Sequence, residues 1–258
     1  MSAPLLFITG ASSGIGQALA ARYAQAGWRL ALVARRTAQV QAWALAAGLA
    51  RERWAVYDAD VTDVESIVEA GRACIEAQDL PDVVVASAGI SVGMDTAERD
   101  DLDVMREVFA INNLGTAATF HPFLSAMRKR GSGTLVGVAS LSAIRGLPGH
   151  GAYCASKAGV VAYCESLRGE CRGSGVRVVT LLPGYVATPL TARNPYSMPF
   201  LMQPEAFAER AFRAIEAGSS YSVIPWQMGV VAKLMRLLPN PLYDYLFANR
   251  GRKPRRSR

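Results

Sequence analysis

Between Pro4 and Gly27 the chain passes from a short apolar segment, Leu5-Leu6-Phe7-Ile8-Thr9, directly into Gly10-Ala11-Ser12-Ser13-Gly14-Ile15-Gly16 and then into the alanine-rich stretch Gln17 to Ala26. The apolar run reads as a strand buried on both faces. The stretch from Gln17 is a good helix former, and Gly27 stops it. Strand, glycine turn and helix in that order begin a parallel sheet covered by helices. The turn also has a chemical use. Glycines let the backbone bend sharply and approach a pyrophosphate, while the free N–H groups and dipole of the next helix favour its negative charge. The spacing Gly-x-x-x-Gly-x-Gly departs from the general Gly-x-Gly-x-x-Gly fingerprint, so a purely structural turn stays open on this segment alone.

Further apolar runs alternate with helical stretches along the 258 residues: Arg29 to Ala34, Trp54 to Tyr57, Val83 to Ala86, Gly133 to Ala139, Val176 to Leu182 and Tyr221 to Ile224. That rhythm predicts an α/β fold, a doubly wound parallel sheet of about seven strands with helices on both faces. Ligands in such sheets bind at the C-terminal strand ends, where Gly10, Asp60, Gly89, Ser140 and Pro183 fall. About half of the residues are hydrophobic, ample for one such unit over residues 1–249, and no internal repeat or second domain is evident.

Tyr153 and Lys157 lie four apart on a helical stretch and so share a face. A free phenol titrates near ~10. A neighbouring ammonium favours the phenolate, so the pair predicts a tyrosine able to act as acid and base. Ser140 supplies a hydroxyl that can hold a substrate oxygen while Tyr153 gives it a proton, with Ser142 as a nearby second hydroxyl. An isolated Tyr-x-x-x-Lys is equally compatible with an amphipathic helix whose Tyr packs and whose Lys is solvated.

Taken together, Thr9 to Gly16, Asn112, Ser140, Tyr153, Lys157 and Pro183-Gly184 resemble in order and spacing the motifs of the short-chain dehydrogenase/reductases, from about Pro4 to about Thr188. The resemblance implies a three-layer Rossmann-like fold, a nicotinamide cofactor and oxidoreduction at carbonyl or alcohol carbon. It implies that Tyr153 is the general acid/base, that Lys157 lowers its pKa and contacts the nicotinamide ribose, and that Asn112 holds a water in a proton relay ending at Lys157. Cofactor contacts are implied for Gly10, Ser12, Ser13, Gly14, Ile15, Gly16, Asp60, Val61, Ala88, Gly89, Tyr153, Lys157, Pro183, Gly184, Val186 and Thr188. Members commonly pair through the helices bearing Asn112 and Tyr153, so a homodimer or homotetramer is expected.

Cofactor choice is written after the second strand. An acid there would bind ribose hydroxyls and repel a 2′-phosphate, whereas this chain has Ala34, Arg35 and Arg36. Arginine suits the phosphate, so NADP(H) is expected over NAD(H). Asp60 either contacts adenine or caps the helix beginning near Val64. Where the family usually has Asn-Asn-Ala-Gly, this chain has Ala86-Ser87-Ala88-Gly89. Ser87 offers a shorter donor and acceptor there. Thr188 either meets the cofactor or makes a turn before Pro189.

A substrate lid is expected over about 188–217. Tyr196, Met198, Phe200, Leu201 and Met202 either cover a hydrophobic carbonyl or alcohol substrate or pack onto the core. His150, close to Tyr153, reads as a hydrogen-bonded loop residue at the pocket border. Residues 225–249 form an apolar C-terminal segment, and Arg250, Arg252, Lys253, Arg255, Arg256 and Arg258 follow without an acid. They carry six of the seven net positive charges, leaving the body almost neutral, which argues against a nucleic-acid-binding fold. The basic end is expected to be a flexible tail. With the apolar segment before it, it is also suited to peripheral contact with an anionic membrane. The four cysteines have no metal-ligand spacing, and no metal is expected. With no apolar run of ~18 residues and no leader pattern, the expected location is cytoplasmic. A catalytically idle NADP(H) sensor or scaffold is the alternative function, and a membrane-peripheral lipid 3-keto reductase a second.

Overall fold

The computed structural model describes residues 3–248 and 251–256. Its strands are β1 (Leu5–Thr9), β2 (Arg29–Val33), β3 (Trp54–Tyr57), β4 (Val83–Ala86), β5 (Gly133–Val138), β6 (Val176–Pro183) and β7 (Tyr221–Ile224). They form one seven-stranded sheet in the order β3-β2-β1-β4-β5-β6-β7, and every neighbouring pair is parallel. The helices are α1 (Gly14–Gln25), α2 (Thr37–Ala46), α3 (Val64–Gln78), α4 (Asp101–Phe109), α5 (Gly115–Arg130), α6 (Gly151–Glu170), α7 (Pro204–Glu216), α8 (Trp226–Leu237) and α9 (Asn240–Phe247).

Successive strand residues point to opposite faces, and this sorts the apolar runs into two cores. Leu6 and Ile8 join Leu30 and Leu32 under Leu19 and Tyr23 of α1 and Phe207 of α7. Leu5 and Phe7 join Ala31 and Val33 against Phe123 of α5 and Val160 of α6. Strand order reverses at β1, which has β2 on one side and β4 on the other. The loops after β1 and β4 therefore part and leave a crevice at their C-terminal ends.

Two expectations are corrected here. Within 188–217, residues 204–216 are α7, whose Phe207, Ala208, Ala211 and Ile215 are buried in the core. The amphipathic period of α7 makes it a covering layer of the sheet, so the expected lid does not extend through it. The basic end is not free along its described part, 251–256; Arg250 and Arg258 lie outside the described residues. Arg255 pairs with Asp101 at 2.6 Å and Glu98 at 3.7 Å, Arg256 with Glu107 at 2.6 Å, and Arg252 with Asp95 at 3.7 Å. The Gly93 N–H donates to the Pro254 carbonyl at 3.1 Å, and the buried Lys253 donates to the Leu190 carbonyl at 3.2 Å. The near-neutral body hides an acidic strip around the start of α4, which attracts the tail.

No helix among the described residues is long and apolar enough to cross a membrane. Cys74, Cys154, Cys164 and Cys171 are buried free thiols.

Phe123 is fully buried, with its ring 4.6 Å from that of Phe7. Phe123→Ala is expected to cost about 3–5 kcal/mol of stability, whereas Leu45→Ala, at a surface position, should change it by less than about 0.5 kcal/mol. Denaturant unfolding of the two variants checks both values.

Candidate active site

At the end of β1 the backbone turns through Gly10 (φ 71°) and Gly14 (φ 58°), both in the left-handed region. A Cβ on Gly10 would lie 2.9 Å from the backbone of Ala88, and Gly16 abuts the Gly10 carbonyl too closely for any side chain. No side chain caps α1, and its first turn contains no acid. The cradle therefore consists of bare backbone donors at a helix N-terminus, which suits a pyrophosphate. Thr9 fastens it to β4. Its Oγ1 accepts from Ser87 N at 3.2 Å and Ala88 N at 3.4 Å, a clamp that nothing in the sequence announces.

Beyond the cradle, Arg36 Nη2 donates to Ser12 Oγ at 2.9 Å and reaches Ser13 Oγ at 3.5 Å. Arg35 bonds Asp60 Oδ2 at 3.2 Å. Of the two roles left open for Asp60, the helix cap belongs to Asp63 instead, which accepts from Glu65 N and Ser66 N. Asp60 Oδ1 takes the Thr62 N–H and hydroxyl at 3.0 and 2.9 Å. Burial alone would raise the Asp60 carboxyl; these bonds and Arg35 outweigh it and hold the group below its usual range.

Across the crevice, β5 leads into Ser140, whose Oγ accepts from Ser142 N at 3.2 Å. Ser142 thus contributes its backbone to placing Ser140. Tyr153, in the first turn of α6, is hydrogen-bonded to Ser140. One turn later Lys157 is buried, with its Nζ donating to the Val138 carbonyl at 2.8 Å and lying 6.0 Å from the Tyr153 ring centre.

A π-helical turn, Ala110–Leu114, separates α4 from α5 and carries Asn112 inward. The Asn112 amide is fully buried. Its Oδ1 accepts from Ile90 N at 3.0 Å, while its Nδ2 donates to Ile90 O at 3.1 Å and Ser156 Oγ at 2.9 Å. Ser156 Oγ in turn donates to the Tyr153 carbonyl at 2.8 Å. Asn112 therefore ties the loop after β4 to the helix bearing Tyr153 and Lys157, with Gly89 packed between it and the ammonium.

The spacing argument predicts a phenol lowered by its ammonium. In the structure, burial dominates both groups. It pushes Tyr153 up to about 12, with the Ser140 hydrogen bond opposing and Cys154 adding a small rise, and it pulls Lys157 down to about 8. Lys157 turns its Nζ to a carbonyl, and the shielded site favours the uncharged form of each side chain.

These residues surround one cleft of about 320 Å³. Every residue expected to contact the cofactor lines it, from Gly10 through Arg35, Arg36, Asp60, Val61 and Gly89 to Pro183, Gly184, Val186 and Thr188, and Ser140 does too. Asn112 stands behind the wall. Thr188 does both things suggested for it. It lines the cleft, and its N–H bonds Thr191 Oγ1 at 3.1 Å in a turn. Ile90, Leu190 and Thr191 also line the cleft, and no sequence signal singled them out. His150 is a buried loop residue, with Nε2 3.0 Å from Tyr196 Oη and Nδ1 3.0 Å from the Pro148 carbonyl. In the segment before α7, Phe200 and Leu201 are exposed, whereas Met202 packs into the core.

A family model described as short chain dehydrogenase matches residues 5–197. An oxidoreductase of Myxococcus xanthus is 41% identical over 247 residues, covering 95% of this chain and 96% of its own. An alcohol dehydrogenase from Thermococcus sibiricus, complexed with 5-hydroxy-NADP, superposes with a TM-score of 0.76 at 27% identity, over 86% of this chain and 96% of its own. A 3-ketoacyl-(acyl-carrier-protein) reductase from Brucella melitensis, complexed with NADH, does so at 0.75 and 26% identity, over 85% and 94%.

Gly10→Ala tests the cradle. A Cβ there meets both the strained φ and the Ala88 backbone, at a cost of about 1–3 kcal/mol. Binding of a nicotinamide dinucleotide, followed by fluorescence titration, should weaken by about tenfold or more.

Proposed function

The chain belongs to the short-chain dehydrogenase family and is a nicotinamide-dependent oxidoreductase of alcohol and carbonyl groups, and from that premise we propose that it uses NADPH to reduce a hydrophobic ketone or aldehyde. The observation that carries this reading is the convergence of Ser140, Tyr153 and Lys157 on the same cleft as the glycine cradle and the Arg35–Arg36 pair.

The cradle and the N-terminus of α1 hold the pyrophosphate. Arg36, already bonded to Ser12 and Ser13, together with Arg35 presents guanidinium groups where a ribose phosphate would sit. When bound, the nicotinamide supplies the hydride. The protein's own part is oxygen chemistry. Ser140 Oγ donates a hydrogen bond to the substrate carbonyl oxygen and so favours its developing negative charge. Tyr153 Oη gives that oxygen a proton. A phenol raised to about 12 is protonated at neutral pH, the form a proton donor needs. Lys157 is the nearest cation to the phenol, and its deprotonated form is within reach just above neutrality. Asn112 positions the pair by fixing Ile90 and Ser156, and it supports a water relay to Lys157. Ile90, Val186 and Leu190 give the rest of the wall an apolar character that suits a hydrophobic substrate. A homo-oligomer is part of the same reading. Its contact is placed at the π-helical turn and α6, where the exposed Leu114 borders a hollow lined by Phe109, Ala117, Val160 and Tyr163.

Tyr153→Phe should leave cofactor binding intact and slow reduction at least ~10²-fold. In the unmodified protein, alcohol oxidation needs the phenolate, so its rate should climb as pH rises from 7 to 10 while reduction does not climb. Substantial turnover by the Phe variant would remove the assigned acid. Tight NADPH binding with no turnover over aliphatic, aromatic, steroidal and 3-ketoacyl carbonyls would point to a cofactor sensor. Replacing Arg35 and Arg36 by Ala should weaken NADPH by ~10-fold or more and leave NADH nearly unchanged. Equal losses for the two cofactors would show that the phosphate lies elsewhere.

A further inference from the structure

Beyond residue 197, the last residue matched by the family model, helices α8 and α9 follow one another across a short bend, each with one face turned to the protein and one exposed. The inner face is fixed. Met228, Gly229 and Ala232 are buried, with Gly229 against Val223 of β7. Arg145 lies 3.8 Å over the Tyr243 ring and donates to the carbonyls of Met235 and Leu238 and to Asn240 Oδ1, fastening the bend between the helices. Tyr243 Oη donates to the Gly146 carbonyl at 2.6 Å.

The outer face is apolar and exposed. Trp226, Val230, Leu234 and Leu237 recur along one side of α8, and Leu237 is 79% exposed. Leu242 and Tyr245 are also exposed on α9, Tyr245 by 80%. The inner bonds prevent these side chains from being buried by a small rotation of either helix. So large an apolar surface needs a partner. Lys233 stands exposed beside the stripe, Arg236 near the end of α8 is exposed and donates to the Ile144 carbonyl at 3.3 Å, and the only carboxylate in either helix is Asp244.

We propose that the exposed apolar face of α8, with the exposed side chains of α9, is a peripheral docking surface for a bilayer containing anionic lipid. Its apolar stripe enters the headgroup–acyl boundary, Trp226 and Tyr245 are of the type that sits at that boundary, and Lys233 and Arg236 meet the lipid phosphates. A second copy of the chain is a poorer fit. The face is bordered by cations and has one acid to offer them, so self-pairing brings like charges together. The proposal stands independently of the reductase reading, because it is tested by binding.

The test is sedimentation of the full chain with vesicles of phosphatidylcholine alone and of phosphatidylcholine with about one-quarter phosphatidylglycerol; binding to the mixed vesicles should be at least about tenfold stronger. The double variant Leu234→Glu/Leu237→Glu should abolish it. Lys233→Glu, which leaves the apolar stripe and the Arg236–Ile144 bond in place, should weaken binding by at least about tenfold and serves if the first variant fails to fold. Three results would overturn the proposal: no sedimentation of the unmodified chain with the mixed vesicles, sedimentation that the charge variant does not reduce, or an oligomer that the leucine variant dissociates while the unmodified chain ignores vesicles.

Discussion

The site depends on one backbone contact, the approach of the turn after β1 to the end of β4. Gly10 has no room for a Cβ against Ala88, and the Thr9 hydroxyl holds the Ser87 and Ala88 amides in that position. Two parallel strands whose loops part would ordinarily leave their last N–H groups to solvent. Here one hydroxyl gathers two of them, and the glycines can then present their own backbone to a ligand. A single side chain at Gly10 would push apart the two halves of the crevice.

A second network secures the opposite wall, and it is polar and buried. Lys157 bonds the last carbonyl of β5, Asn112 bonds Ile90 and Ser156, and Ser156 bonds the Tyr153 carbonyl. Buried polar groups are costly unless satisfied, and each of these has a partner. The network therefore fixes α6 relative to the sheet edge and also shapes its electrostatics. Shielding raises the phenol and lowers the ammonium, so at neutral pH the transferable proton stays on the phenol oxygen while Lys157 holds its charge by a narrower margin.

The sheet was legible because its strands are apolar runs, several of them ending at glycine, aspartate or proline. Four of the seven predicted strands have the observed limits, and the other three differ by one residue at the C-terminal end. The glycine loop, Ser140, Tyr153 and Lys157 were legible through their order and spacing. What stayed hidden depends on partners distant in the chain. Thr9 resembles any threonine at a strand end until β4 is placed beside it. Asp60 and Asp63 both precede α3, and only backbone geometry decides which one caps it. The phenol's direction of shift was misjudged because spacing reports a neighbouring charge and is blind to shielding. The basic end looked solvated because the acids that receive it lie some 150 residues earlier.

That last contact orders events in time. A chain synthesised from its N-terminus has made β1, β4, Ser140 and Lys157 well before Lys253 and Pro254 exist. The loop after β4 donates its Gly93 N–H to the Pro254 carbonyl, and the Leu190 carbonyl accepts from Lys253. The glycine cradle can therefore form on the ribosome before residues 253 and 254 are made, whereas the opposite rim is sealed only after they have emerged.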